Sequence, residues 1–304
     1  MAATTGLRPR RLRGGGREHL TGWSFVLPAA ILIGVFGLIP VGWSLVLSFQ
    51  HNDLLTTPSW VGLGNYRALT HDPLFRGAVW HTVVYTLLFV PVSIVGALAV
   101  AVALNRKIRF IRLYRTAVFV PVVFSTVATA ITFNWLLEPN YGLVNYGLER
   151  LGLPAQSFFQ DPNQALYAVV AMTVWGWLGF DVIIYLAALQ AVPRELLEAA
   201  AIDGAGRLTT FRRIVVPLLG PATLFLVVWS TINALQLFDE VYVATRGGPL
   251  HATTVIVYYL FDQTFHFFNG GYGAAIAYTL FLAILALTGI QLWIGARRVH
   301  YGSS

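Results

Sequence analysis

Six long apolar runs constrain this chain more than any other feature: residues 22–49, 78–104, 113–137, 166–189, 218–237 and 273–294. A bilayer core about 30 Å thick is crossed by roughly 20 apolar residues in a helix, and every run reaches that length. Inside hydrocarbon each backbone N–H and C=O needs a partner, which leaves helices and closed barrels. Barrel strands alternate with a period of two, whereas these runs are continuously apolar. The expected fold is therefore an all-α integral membrane protein with six transmembrane helices. Composition agrees: 57% of the 304 residues are hydrophobic and 11% are charged, against about 25% charged in a soluble domain. That balance excludes a soluble domain and a disordered chain, and the absence of Cys excludes a disulfide scaffold.

The basic residues speak to orientation. Sixteen of the 20 Lys and Arg lie in the leading tail, the second-to-third connection, the fourth-to-fifth connection and the end. The other connections hold only Arg67, Arg76, Arg150 and Arg246. An excess of Lys and Arg marks the cytoplasmic side, so both termini are expected there, in a cytoplasmic (inner) membrane. The charges form islands beside apolar runs and not an aromatic-interleaved stripe, so lipid is the expected polyanion and nucleic acid is not. The first run is too long for a signal-peptide core and continues past Pro28 and Pro40, as a retained anchor would. Those prolines, with Pro91 and Pro121, are expected to shape their helices. The outer connections at 50–77, 138–164 and 238–272 are the longest and suit loops with short surface or re-entrant helices. The expected division is a basic tail at 1–21, a first helix and outer loop at 22–77, a core at 78–296 and a tail at 297–304.

No catalytic constellation stands out. The one lysine, Lys107, follows no glycine-rich loop, which argues against P-loop nucleotide hydrolysis. No His-x-x-x-His pair, acidic pair within a span or Gly-x-Ser-x-Gly elbow occurs. Neither a catalytic residue, a metal site nor a cofactor is expected.

Residues 193–217 form the most distinctive cytoplasmic segment. Pro193 suits a first helical position, Glu195 and Glu198 suit the opening turns, and Gly204 suits a stop. Its small residues, Ala199, Ala200, Ala201, Gly204, Ala205 and Gly206, would let another backbone approach closely. A plain surface helix joining two spans fits as well. Asp181 is the one ionisable residue well inside a run, within Trp175-Gly-Trp177-Leu-Gly-Phe180-Asp181. It suits either a solute cavity with stacking tryptophans or a buried hydrogen bond fixing helix packing. Asn233 and Gln236, and less centrally Asn134 and Trp135, carry groups that pair with a polar solute or with a neighbouring helix. Asp239 and Glu240 suit a solvated lip at the outer end of the fifth run, and Gly247-Gly248-Pro249 suits an external turn.

Glu198-Ala-Ala, Asp203-Gly204-Ala205, Phe211, Ile214 and Pro217 resemble the E-A-A…G…I-x-L-P motif of binding-protein-dependent ABC importer permeases, with Val216 in place of Leu. The resemblance implies that Glu198, Ala199, Ala200, Asp203, Gly204 and Ala205 meet an ATP-binding subunit as a coupling helix. Asn233 to Asp239, then Thr245-Arg-Gly-Gly-Pro249, Thr253-Thr254 and Tyr258 are similar to the carbohydrate branch, as is Trp60-Val-Gly-Leu-Gly-Asn65-Tyr66. It implies a type I importer fold whose first span wraps a second, homologous permease. It also implies two ATP-binding subunits and an external solute-binding protein as partners. The expected solute is a sugar, a glycerol phosphate or a glycerophosphodiester; the six runs hold no Lys and no Arg beyond Arg115 at the start of the third, which tilts towards neutral sugars. An ion-coupled secondary transporter is the competing reading, and one intramembrane Asp supports it thinly.

Overall fold

The structure, a computed structural model, describes residues 15–106 and 109–298. The basic tail up to residue 14, Lys107 and residues 299–304 lie outside the described residues. Four helices are long and apolar enough to cross a membrane: the first span Trp23–Ser48, the second Pro73–Leu104, the fourth Ala165–Gln190 and the sixth Gly270–Arg297. The third and fifth spans are broken. Ile111–Val123 turns through 103° into Thr126–Leu136, and Arg207–Leu218 turns through 63° into Gly220–Leu235. Counting each bent pair as one span gives six.

Proline explains where the helices yield. Pro121 has no N–H for the carbonyl one turn back, and Phe124 and Ser125 after it are extended, with ψ of 144° and 137°. In the fifth span Pro217 and Pro221 flank the bend, and Leu219 buries its side chain at the corner. Widened π turns at Gly34–Leu38 and Phe211–Val215 precede Pro40 and Pro217, where the ring displaces the carbonyl four residues earlier. Pro28 and Pro91 lie inside helices that continue past them.

The second and fourth spans pack against each other as the centre of the molecule. Ala97 and Ala101 let them close up, and Tyr85, Val169, Met172 and Tyr185 fill the seam. The first half of the third span lies on the fourth at Gly179, where a Cβ would stand 2.4 Å from the Val118 carbonyl oxygen. Glycine is what permits that approach. A second cluster joins Leu69, Phe75, Ile256, Tyr259, Ile276 and Leu280, seating the sixth span at the outer end of the second.

The first span stands outside this core, with none of its most hydrophobic window buried. Tyr278 of the sixth span donates to the Val41 carbonyl, and the Asn65 amide donates to the Ser48 and Gln50 carbonyls at 2.9 Å each. The outer connections carry a two-stranded hairpin, Gln50–His51 against Ser59–Trp60, and helices Gly64–His71, Leu143–Arg150, Asp239–Ala244 and Ile256–Phe261. Asp72 ties three of these parts together. One carboxylate oxygen caps the second span by accepting from the Leu74 and Phe75 amides at 2.9 and 3.2 Å. The other accepts from the Tyr259 and Tyr272 hydroxyls at 2.5 and 2.6 Å. Burial raises this carboxyl, but the two hydroxyls and two amides outweigh it and hold the group below the ordinary aspartate value.

Candidate coupling surface and solute cavity

The segment after the fourth span folds as a short helix, Arg194–Ile202, with Pro193 as its N-cap, so that it begins one position after the expected start. Gly204 ends it at φ +75°. The Gly204 amide donates to the Ala201 carbonyl at 3.1 Å and the Ala205 amide to the Ala200 carbonyl at 2.9 Å, the paired bonds of a Schellman ending. A side chain is strained at that φ, so glycine here is structural. Ala200 is the buried residue of this helix; Glu198, Ala199, Asp203 and Gly204 face outwards and Ala205 is half-buried. Leu196 and Ile202 are also turned out, Ile202 with 87% of its surface exposed. A projecting helix with small residues and an uncovered isoleucine has the character of a docking surface.

A cavity lies where the third span breaks. One lobe, about 130 Å³, is lined by Pro121, Phe124, Thr126, Thr129, Met172, Gly176 and neighbours. The other, about 170 Å³, is lined by Tyr85, Phe89, Asn233, Gln236, Phe238 and Asp239, among others. Thr126, Thr173, Trp177 and Glu240 line both lobes and make up the waist, the lining that the two share. An outer hollow of about 590 Å³ is lined by Asn134, Trp135, Glu138, Tyr141, Gln160, Thr245 and Pro249 with others. The break in the third span borders this space: Pro121, Phe124 and Thr126 share its lining with Trp177.

The structure thus gathers Trp177, Asn233 and Gln236 at one cavity and puts Asn134 and Trp135 at the outer hollow. Asn233 donates its amide to the Trp229 carbonyl at 2.8 Å, which leaves its oxygen as an acceptor. Asp181 sits apart from them. It is 2% exposed, and the Ser93 hydroxyl of the second span donates to it at 2.5 Å, the packing arrangement.

Glu240 corrects the solvated-lip expectation. Successive residues of a helix point about 100° apart, so in Asp239–Ala244 the first acid stays exposed while the second turns to the waist. There it shares the lining with Trp177. Burial, with Asp239 alongside, pushes its carboxyl above the ordinary glutamate range. Thr126, Thr173 and Tyr85 also went unforeseen. No local signal marks them, because each reads as an ordinary residue of an apolar run.

Six spans, two of them broken around a polar cavity, with a projecting helix on the connection before the fifth, define a helical membrane permease. Residues 75–300 match the binding-protein-dependent transport system inner membrane component family, and the chain belongs to that family. It is 37% identical over 285 residues to the lactose transport system permease protein LacF of Rhizobium radiobacter, covering 92% of this chain and 95% of that one. It is 34% identical over 278 residues to the sn-glycerol-3-phosphate transport system permease protein UgpA of Yersinia enterocolitica, covering 91% and 94%. In fold it matches a chain of a bacterial alginate ABC transporter in complex with an alginate pentasaccharide-bound periplasmic protein. That match has a TM-score of 0.83 at 22% identity, covering 94% of this chain and 98% of that one. The protein is a permease of the ABC importer type.

Proposed function

We propose that this permease pairs with a second, homologous permease to form the path of a sugar or glycerol phosphate type solute. An external binding protein delivers the solute, and two separate ATP-binding subunits drive the cycle, the permease itself being non-catalytic. Relatives named for lactose and for sn-glycerol 3-phosphate support that solute class. The distribution of Lys and Arg supports an inner-membrane orientation with both termini cytoplasmic. The units at 22–77 and 78–296 then divide into a peripheral anchor and a transport core.

The observation that carries this reading is the projecting helix Arg194–Ile202, with Glu198, Ala199 and Ile202 uncovered and Gly204 fixing its end. Its small side chains fit a cleft, and nucleotide-driven closure of the ATP-binding pair moves the helix and, through rigid spans, the cavity. The work comes from the difference in stability between two arrangements, biased by nucleotide. Arg207, Arg212 and Arg213 are exposed on the same cytoplasmic segment and suit anionic headgroups.

Glu198→Lys and Gly204→Asp test it, the first reversing a charge on the outer face and the second straining the ending. Both variants are expected to insert in the membrane, to lose the copurifying ATP-binding subunit and to abolish uptake. Retained uptake and attachment in both would discredit the coupling role.

A further inference from the structure

The relatives differ in the charge of what their names say they carry: lactose is neutral and sn-glycerol 3-phosphate is an anion. We propose that Glu240 makes the cavity of this permease a charge filter, one that takes neutral polyhydroxylated solutes and turns phosphorylated ones away. The inference rests on the reading of this cavity as part of the solute path.

The lining decides the sign. Carboxylates come from Asp239 and Glu240, amides from Asn233 and Gln236, hydroxyls from Thr126, Thr129 and Thr173, and flat faces from Trp177 and Phe238. No Lys, Arg or His stands among the residues lining either lobe. Asn233 has spent one amide hydrogen on the Trp229 carbonyl and Thr173 its hydroxyl on the Val169 carbonyl, which leaves carboxylate and amide oxygens open as acceptors. A solute that brings donors finds partners there. Sugar hydroxyls do this, pairing with carboxylate and amide oxygens while an apolar sugar face lies against an indole ring. A phosphate brings acceptors and negative charge, and meets two carboxylates with no cation among the described residues of this lining to offset them.

Position makes Glu240 the filter. It lines both lobes, so a solute in either one faces this carboxylate. The burial and the like-charged neighbour that raise the Glu240 carboxyl oppose a further anion for the same reasons. The outer hollow independently repeats the chemistry: Glu138, Asn134, Gln160 and the rings of Trp135 and Tyr141, again with no basic residue in the lining. Arg246 is exposed beyond the short outer helix and lines neither lobe.

The test uses the assembled importer, both permeases with the ATP-binding subunits, in lipid nanodiscs without the external protein, so that discrimination belongs to the membrane part. Binding of radiolabelled lactose and of glycerol 3-phosphate is measured for the native complex and for Glu240→Gln and Glu240→Arg, with ATPase activity as the check on assembly. Lactose is expected to bind at least about tenfold more tightly than glycerol 3-phosphate, with the gap closing in Glu240→Gln and inverting in Glu240→Arg. Equal or tighter binding of the phosphate by the native complex overturns the proposal, as does a preference that neither substitution changes. Binding of neither solute by an ATPase-active complex removes the cavity from the path and the filter with it. The copurifying ATPase keeps that failure distinct from a failure of the importer assignment.

Discussion

The pair formed by Ser93 and Asp181 shows how one side chain is tolerated at the centre of a membrane helix. An unpartnered carboxylate there is expensive, and one short hydrogen bond across two spans supplies the partner. Removing the donor strands the acceptor, and a stranded buried group costs about 1–3 kcal/mol. Ser93→Ala is therefore expected to lower the melting temperature of the purified complex, whereas Asp181→Asn, which keeps the shape and removes the charge, is expected to retain uptake. A collapse of uptake in Asp181→Asn at unchanged stability would return Asp181 to the solute path. In the sequence alone, Asp181 suited a cavity or packing, with packing slightly ahead. The choice depends on a serine 88 positions away, and no local pattern encodes that.

Among the elements, the helix breaks matter most for function and were the least visible. Pro121 was legible as a perturbation, but Pro28 and Pro91 are chemically equivalent and leave their helices unbroken. What distinguishes Pro121 is its place one turn before Phe124 and Ser125, which turn extended and release the chain into the next half-helix. The projecting helix was legible almost to the residue, because caps and glycine stops are local chemistry. The Asp72 node was not legible, since it joins the start of the second span to Tyr259 and Tyr272. Its pH dependence follows from the sign of the shift. The folded carboxyl titrates below its ordinary value of 3.8, so its stabilisation is fully present above that value. It is lost as pH falls through the lower folded value. Melting of the native complex between neutral and strongly acid pH is expected to decline more steeply than that of Asp72→Asn. Parallel declines would show that the node adds no pH-dependent stability.

At the scale of the whole molecule, the first span is an apolar helix with nothing of its own chain over most of its surface. Phe36 is 76% exposed and Ile39 64%. In a bilayer lipid satisfies such a surface, and so does a second permease. The chain contains no Cys, so a single introduced one gives an unambiguous signal. Phe36→Cys alkylated with a maleimide–benzophenone reagent is expected, on irradiation, to insert into a C–H bond of the partner permease in the assembled importer, read as a heavier band on a denaturing gel. Its absence, with assembly intact, would leave the first span facing lipid.

The sequence by itself determined the number of spans, the all-α class and the form of the projecting helix. Each depends on residues near in the chain: a span needs only enough consecutive apolar residues to satisfy its own backbone, and a helix ending needs only its caps. Only the tertiary structure decided which polar groups face a common space. Asn233, Trp177 and Glu240 meet because a bend near Pro121, the close approach at Gly179 and the rotation of a short outer helix coincide. Those relations are set by how helices turn and lean on one another, and no single stretch of chain contains them.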